Sequence, residues 1–125
     1  MGDWTDVVDL DYENRALWQY QIETLCYWAQ FVDGFRCDVA STVPVEFWRE
    51  ARRAVEAVRP GAVWLGESVH LAHIQAFRSL GHYAATDTEL FTAFDILYPY
   101  DLWPLYEGVT EGRLPLSRWF DAVDY

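Results

Sequence analysis

The sequence predicts an α/β fold in which short parallel strands alternate with helices. Three observations carry that prediction. Two runs, "GFRCDVA" and "AVWLGES", read as strands. Segments with apolar residues at helical spacing flank each run. The two runs lie about 30 residues apart, the length of one strand–helix–strand unit. Connections of that kind join parallel strands.

The elements follow in order. Residues 1–13 read as a loop with a short apolar stretch at Val7-Val8. Asn14 is a good N-cap, and Trp18, Ile22, Leu25, Cys26 and Ala29 give one buried stripe on a helix from Arg15 to about Phe31. Asp33-Gly34 ends that helix and opens a strand over Phe35–Val39. Pro44 suits the first turn of a second helix, which reaches about Arg59 with Val45, Trp48, Ala51, Val55 and Val58 on one side. Arg59-Pro60-Gly61 breaks it. Ala62–Glu67 is a nearly all-apolar second strand, as expected when both faces are buried. Leu71 to about Leu80 is a short helix closed by Gly81, and Thr86–Leu90 is a helical turn. "FDILY", Phe94–Tyr98, is the third strand and "YPYDLWP" a loop; Leu102–Tyr106 and Leu116–Val123 read as helical.

The chain has 125 residues, about one domain spanning 1–125, and is 52% hydrophobic, enough for a packed core. It has no long apolar run to span a membrane and no basic-then-apolar leader. Net charge is −11, and all nine basic residues are arginine. Such a surface repels nucleic acid and anionic lipid. Cys26 and Cys37 both fall on apolar faces, which favours reduced core thiols and a cytoplasmic setting. No Gly-rich phosphate loop appears, so no cofactor is expected, and no Ser-His-Asp pattern for a nucleophilic serine appears either.

The chemistry lies at the strand ends. Asp38 and Glu67 end the first two strands, and neighbouring strands lie about 4.8 Å apart. Two carboxylates there would face each other at about 5 Å, near the separation of about 5–5.5 Å used by retaining glycosidases. Arg36 shares the strand face of Asp38 and favours its charged, nucleophilic form. Glu67 ends the apolar "VWLG", where desolvation favours the protonated form of an acid/base. Gly66 would leave room for a substrate. A structural ion pair lining a parallel sheet is the alternative, and spacing alone leaves both open. Cys37 points to the face opposite Asp38.

His70, His73 and His82 invite a metal reading, but no further ligand has motif spacing, so no metal site is expected. His70 could instead line a sugar subsite. Tyr98, Tyr100 and Trp103 follow the third strand and could stack on sugar rings, with core packing equally open. Asp87 and Glu89 read as solvated carboxylates at a helix start.

"DGFRCDVA" followed one unit later by "WLGES" closely resembles the α-amylase family of glycoside hydrolases. That family carries its nucleophile on a Gly-Phe-Arg-x-Asp strand and its general acid/base on a Gly-Glu strand. "DLDYENRAL" resembles the family segment "DLNxENPxV", and "AFDILYPYDLW" resembles the sixth-strand region of bacterial members. The resemblance implies that Asp38 is the nucleophile, Glu67 the acid/base and Arg36 the residue supporting the nucleophile. It implies a partial (β/α)8 TIM barrel of about three parallel strands with flanking helices, since a whole barrel needs about 250 residues. The family's Asp-x-x-x-x-His motif and its His-Asp motif with the third carboxylate have no counterpart here. The resemblance therefore implies a glycosidase fragment acting on an α-glucan or small α-glucoside, with little activity by itself. The alternative is a non-catalytic carbohydrate-binding or self-associating remnant. A three-strand slice exposes sheet edges and an apolar face, so self-association into a homo-oligomer is expected.

Overall fold

The computed structural model describes residues 8–123. Val7 and the rest of 1–7, in the expected N-terminal loop, lie outside the described residues, as do Asp124 and Tyr125. Three parallel strands form one sheet in the order β1-β2-β3, which is also their chain order. They are β1 (Gly34–Cys37), β2 (Val63–Gly66) and β3 (Ile96–Leu97). The helices are α1 (Arg15–Trp28), α2 (Val45–Val58), α3 (Leu71–Ser79), α4 (Asp87–Leu90), α5 (Trp103–Thr110) and α6 (Ser117–Val123). No helix among the described residues is long and apolar enough to cross a membrane.

Local chemistry sets the helix ends. The Asn14 side chain accepts from the Ala16 amide, satisfying a donor that the first turn of α1 leaves free. Thr86 and Glu89 form a reciprocal capping box on α4. Gly81, with φ +83°, supplies the left-handed residue that ends α3.

The core lies between the sheet and helices α1 and α2. Trp18, Phe47, Trp48, Trp64 and Phe94 are buried and meet mostly edge to face, with Phe47–Trp48 centroids 5.0 Å apart and Trp48–Phe94 5.2 Å. Two of the buried indoles are satisfied: Trp18 Nε1 donates to the Tyr12 carbonyl at 2.9 Å, and Trp48 Nε1 to the Ala40 carbonyl at 3.1 Å. Asp95 ties the entry of β3 to β2 by accepting from the Trp64 amide at 2.9 Å, and Arg52 of α2 holds Asp95 and the Ala93 carbonyl.

Several boundaries differ from the sequence reading. Strand β1 stops at Cys37, so Asp38 and Val39 fall outside it: Val39 adopts φ 42°, ψ 43°, and a left-handed residue cannot continue a strand. Helix α1 stops at Trp28, with Ala29 as its cap and a tight turn reaching Val32. Pro44 is the N-cap of α2 and does not sit in its first turn. Phe47 joins the buried side of α2, whereas Val58, its last residue, is exposed. Strand β2 is buried on one face only. Trp64 and Gly66 face the helices, while Val63 is 46% exposed on the other side. Strand β3 is two residues long, and the "YPYDLWP" loop holds a 3-10 turn at Tyr100–Leu102 and the start of α5.

Candidate active site

The register brings the two acids together. Cys37 pairs with Gly66, so the next residues, Asp38 and Glu67, leave adjacent parallel strands side by side. Backbone bonds lock this end: Glu67 N donates to the Cys37 carbonyl at 2.9 Å and Ala40 N to the Glu67 carbonyl at 2.8 Å. Two glycines set how closely the strands and their neighbours pack. A Cβ on Gly34 would stand 2.2 Å from the Val63 carbonyl oxygen. A Cβ on Gly66 would stand 2.8 Å from Leu97 Cδ2 and 3.0 Å from Phe94 Cδ1. Gly66 therefore makes room for core side chains and not for a substrate, because alternate strand residues face opposite ways.

Arg36 bridges the pair. Its Nη1 donates to Asp38 Oδ1 and its Nη2 lies 2.9 Å from Glu67 Oε2. Its guanidinium carbon lies 5.6 Å from the Tyr98 ring centroid, and hydrogen bonds to Tyr98 and Asp38 push its pKa up further. The Arg36 guanidinium holds the Asp38 carboxyl below the usual range. Asp38 is open to solvent, with 69% of its side chain exposed; Glu67 is sheltered at 19%.

The surroundings of Glu67 are more polar than "VWLG" suggests. Oε2 also accepts from the Val39 amide at 3.1 Å, and Oε1 accepts from the Tyr100 hydroxyl at 2.9 Å. The left-handed turn at Val39 is what aims that amide back at Glu67. Cys37 faces the core, where burial pushes its thiol up to about 12, and both cysteines are free. It does not act at the site.

The other candidates fall into two groups. Tyr98 and Tyr100 flank the pair, with ring centroids 5.6 Å apart. The His70 ring lies 5.5 Å from Tyr100 and 6.0 Å from His73. His70 Nδ1 lies 3.0 Å from Asp101 Oδ1, and Asp101 Oδ2 accepts from the Leu71 amide at 3.1 Å. His82 stands apart, against Phe77 at 6.1 Å. Trp103 also stands apart, at the start of α5, with its ring 5.2 Å from Tyr106. Asp87 is half-buried and so less solvated than expected: burial raises its pKa, and a hydrogen bond to the buried Ser68 hydroxyl opposes the rise.

Sequence reasoning missed the roles of Asp101 and Tyr100. Each contacts a residue about thirty positions away. No local pattern signals such a contact.

No protein-family model matches the chain. Maltogenic alpha-amylase of Bacillus acidopullulyticus is 43% identical over 60 residues, 46% of this chain and 10% of that protein. Neopullulanase 2 of Thermoactinomyces vulgaris is 41% identical over 59 residues, again 46% and 10%. Intracellular maltogenic amylase of Bacillus subtilis strain 168 is 35% identical over 69 residues, 54% of this chain and 12% of that protein. The crystal structure of an alpha-amylase from Lactobacillus plantarum matches with a TM-score of 0.87 and 49% identity, over 98% of this chain and 29% of that one. The chain thus spans about 10% of the length of the curated relatives it matches.

Proposed function

We propose, for a chain that belongs to the α-amylase family of glycoside hydrolases and forms part of its (β/α)8 barrel, that Asp38 and Glu67 carry retaining α-glycosidase chemistry. The supporting observation is Arg36 reaching both carboxylates at the ends of adjacent parallel strands. Asp38, kept ionised by Arg36, attacks the anomeric carbon of an α-glucoside. The bond to the leaving oxygen breaks as Glu67 protonates that oxygen, and an ester bond joins the sugar to Asp38. Glu67, now a carboxylate, takes a proton from water. The hydroxide oxygen attacks the same carbon and Asp38 departs. In the acid form, the proton on Glu67 takes the place of one of its present donors.

Tyr98, Tyr100 and His70 border the pair and offer flat surfaces for the sugar rings of an α-glucan or small α-glucoside. Trp103, at the start of α5, serves as a more distant platform. Electrostatic support for the transition state comes from several strand ends of a barrel, so turnover is expected only when this segment sits within a whole one. By itself the chain is expected to self-associate through the edges of β1 and β3 and the face bearing Val63 and Ile96, which are 46% and 51% exposed. Free cysteines and the intracellular B. subtilis relative support a cytoplasmic location.

The test is a chimera in which this chain replaces the matched 29% of the L. plantarum alpha-amylase. The expected result is α-glucan hydrolysis that falls by at least about 10³-fold in both D38N and E67Q. Activity that survives D38N overturns the assignment. The salt link between Arg36 and both acids favours a second reading, a carbohydrate-binding remnant whose ion pair is structural. Glycan binding that persists in both variants without any turnover would select it.

A further inference from the structure

The geometry points to Tyr100 as the positioning residue for Glu67, the group that holds its Oε1 through the acid and base halves of the cycle. The inference rests on the acid/base reading of Glu67 and adds a residue to it.

The two oxygens of Glu67 are not equivalent. Oε2 is taken by two N–H donors, Arg36 Nη2 at 2.9 Å and the Val39 amide at 3.1 Å. Two donors fill the two acceptor positions of a carboxylate oxygen, so Oε1 is the oxygen left to carry a proton. Tyr100 holds that oxygen at 2.9 Å. Arginine and a backbone amide only donate. A phenol both donates and accepts, and its hydrogen rotates. Tyr100 therefore donates to Oε1 when Glu67 is ionised and accepts from it when Glu67 is protonated, keeping the side chain in place in both states.

Tyr100 is itself fixed from three sides. Its ring meets His70 at 5.5 Å and Tyr98 at 5.6 Å, and the backbone enters a 3-10 turn at this residue. Pro99, whose ring limits its own φ, leads into that turn. His70 is steadied in turn by Asp101 at 3.0 Å. The charged and titratable groups facing the phenol are Glu67, Tyr98, His70 and Arg36. The hydrogen bond to Glu67 is the leading cause of a raised Tyr100 pKa.

The test is a ¹³Cζ-tyrosine NMR titration of the full 125-residue chain. The Tyr100 resonance is identified by its loss in Y100F. It is expected to titrate above ordinary tyrosine, about 10, and to fall toward that value in E67Q while staying raised in H70A. A Tyr100 midpoint unchanged in E67Q would mean that the phenol does not bear on the carboxylate, and that result overturns the inference. Should E67Q fail to fold, the carboxyl ¹³C resonance of Glu67 supplies the same answer: it shifts in Y100F and holds in H70A, and an unmoved resonance in Y100F overturns the inference. Coupling in these titrations alongside an inactive chimera leaves the contact standing and removes the glycosidase reading. The reverse outcome does the opposite.

Discussion

Gly34→Ala tests whether the paired strand ends are built as described. The added Cβ would sit 2.2 Å from the Val63 carbonyl oxygen, 3.0 Å from its carbon and 3.1 Å from its Cα. All three are backbone atoms, so no side-chain rotation clears them. A comfortable carbon–oxygen approach is about 3.3 Å, so β1 and β2 must part by about 1 Å. The Val63 amide bond to the Asp33 carbonyl, now 3.0 Å, lies beside the clash and stretches with it. Overpacking costs about 1–3 kcal/mol, and one or two weakened backbone bonds add about 1 kcal/mol each. The expected loss is about 2–5 kcal/mol, a large share of the about 5–15 kcal/mol that holds a domain together. Urea denaturation followed by tryptophan fluorescence reads it. Arg36 lies two residues farther along β1, so the same shift should loosen its 2.9 Å contact with Glu67. A Gly34→Ala variant within about 0.5 kcal/mol of the wild type, the range of neutral surface changes, would refute the register and the site geometry built on it.

Trp64→Ala removes the largest fully buried side chain among the described residues, 1% exposed against Phe35, Trp48 and Phe94, and should cost about 3–5 kcal/mol in the same assay. The pairing of Asp38 with Arg36 should show as pH dependence. The folded pKa lies below the unfolded value of about 3.9, so its stabilisation is present above that pH and is lost as pH falls through the folded value. Exposure of the pair keeps the contribution small. The gap in urea midpoint between wild type and D38N should therefore close in acid, and a gap that persists there contradicts the pairing. Sedimentation velocity should show mass rising with concentration, whereas a stable monomer at all concentrations would show that the exposed sheet face needs no cover.

The period-two run made β1 legible because one of its faces lies against helices, and a packed face enforces alternation; β2 was legible as a short, nearly all-apolar run between a helix breaker and a polar end. The parallel order was legible because each connection holds a helix. Asp38 and Glu67 were legible as a pair through their spacing. The end of β1 was not, because it depends on Val39 entering a left-handed turn, which a β-branched residue rarely does. Phe47 was missed because it flanks the expected stripe of α2, where Tyr12 and Trp18 reach it from outside the helix. The donors on Glu67 were hidden for a similar reason. The arginine lies across the strand pairing, the amide depends on the Val39 turn, and the phenol arrives from beyond β3. Apolar neighbours in sequence said nothing about polar neighbours in space.

Covalent trapping reads the role of Asp38 most directly. The chimeric barrel is treated with an activated fluoro-α-glucosyl donor that forms the sugar ester quickly and hydrolyses slowly, then digested and sequenced by mass spectrometry. One glucosyl adduct on Asp38, absent in D38N, is the expected result. An adduct on Glu67 or on another residue of an active chimera would contradict the division of labour between the two acids.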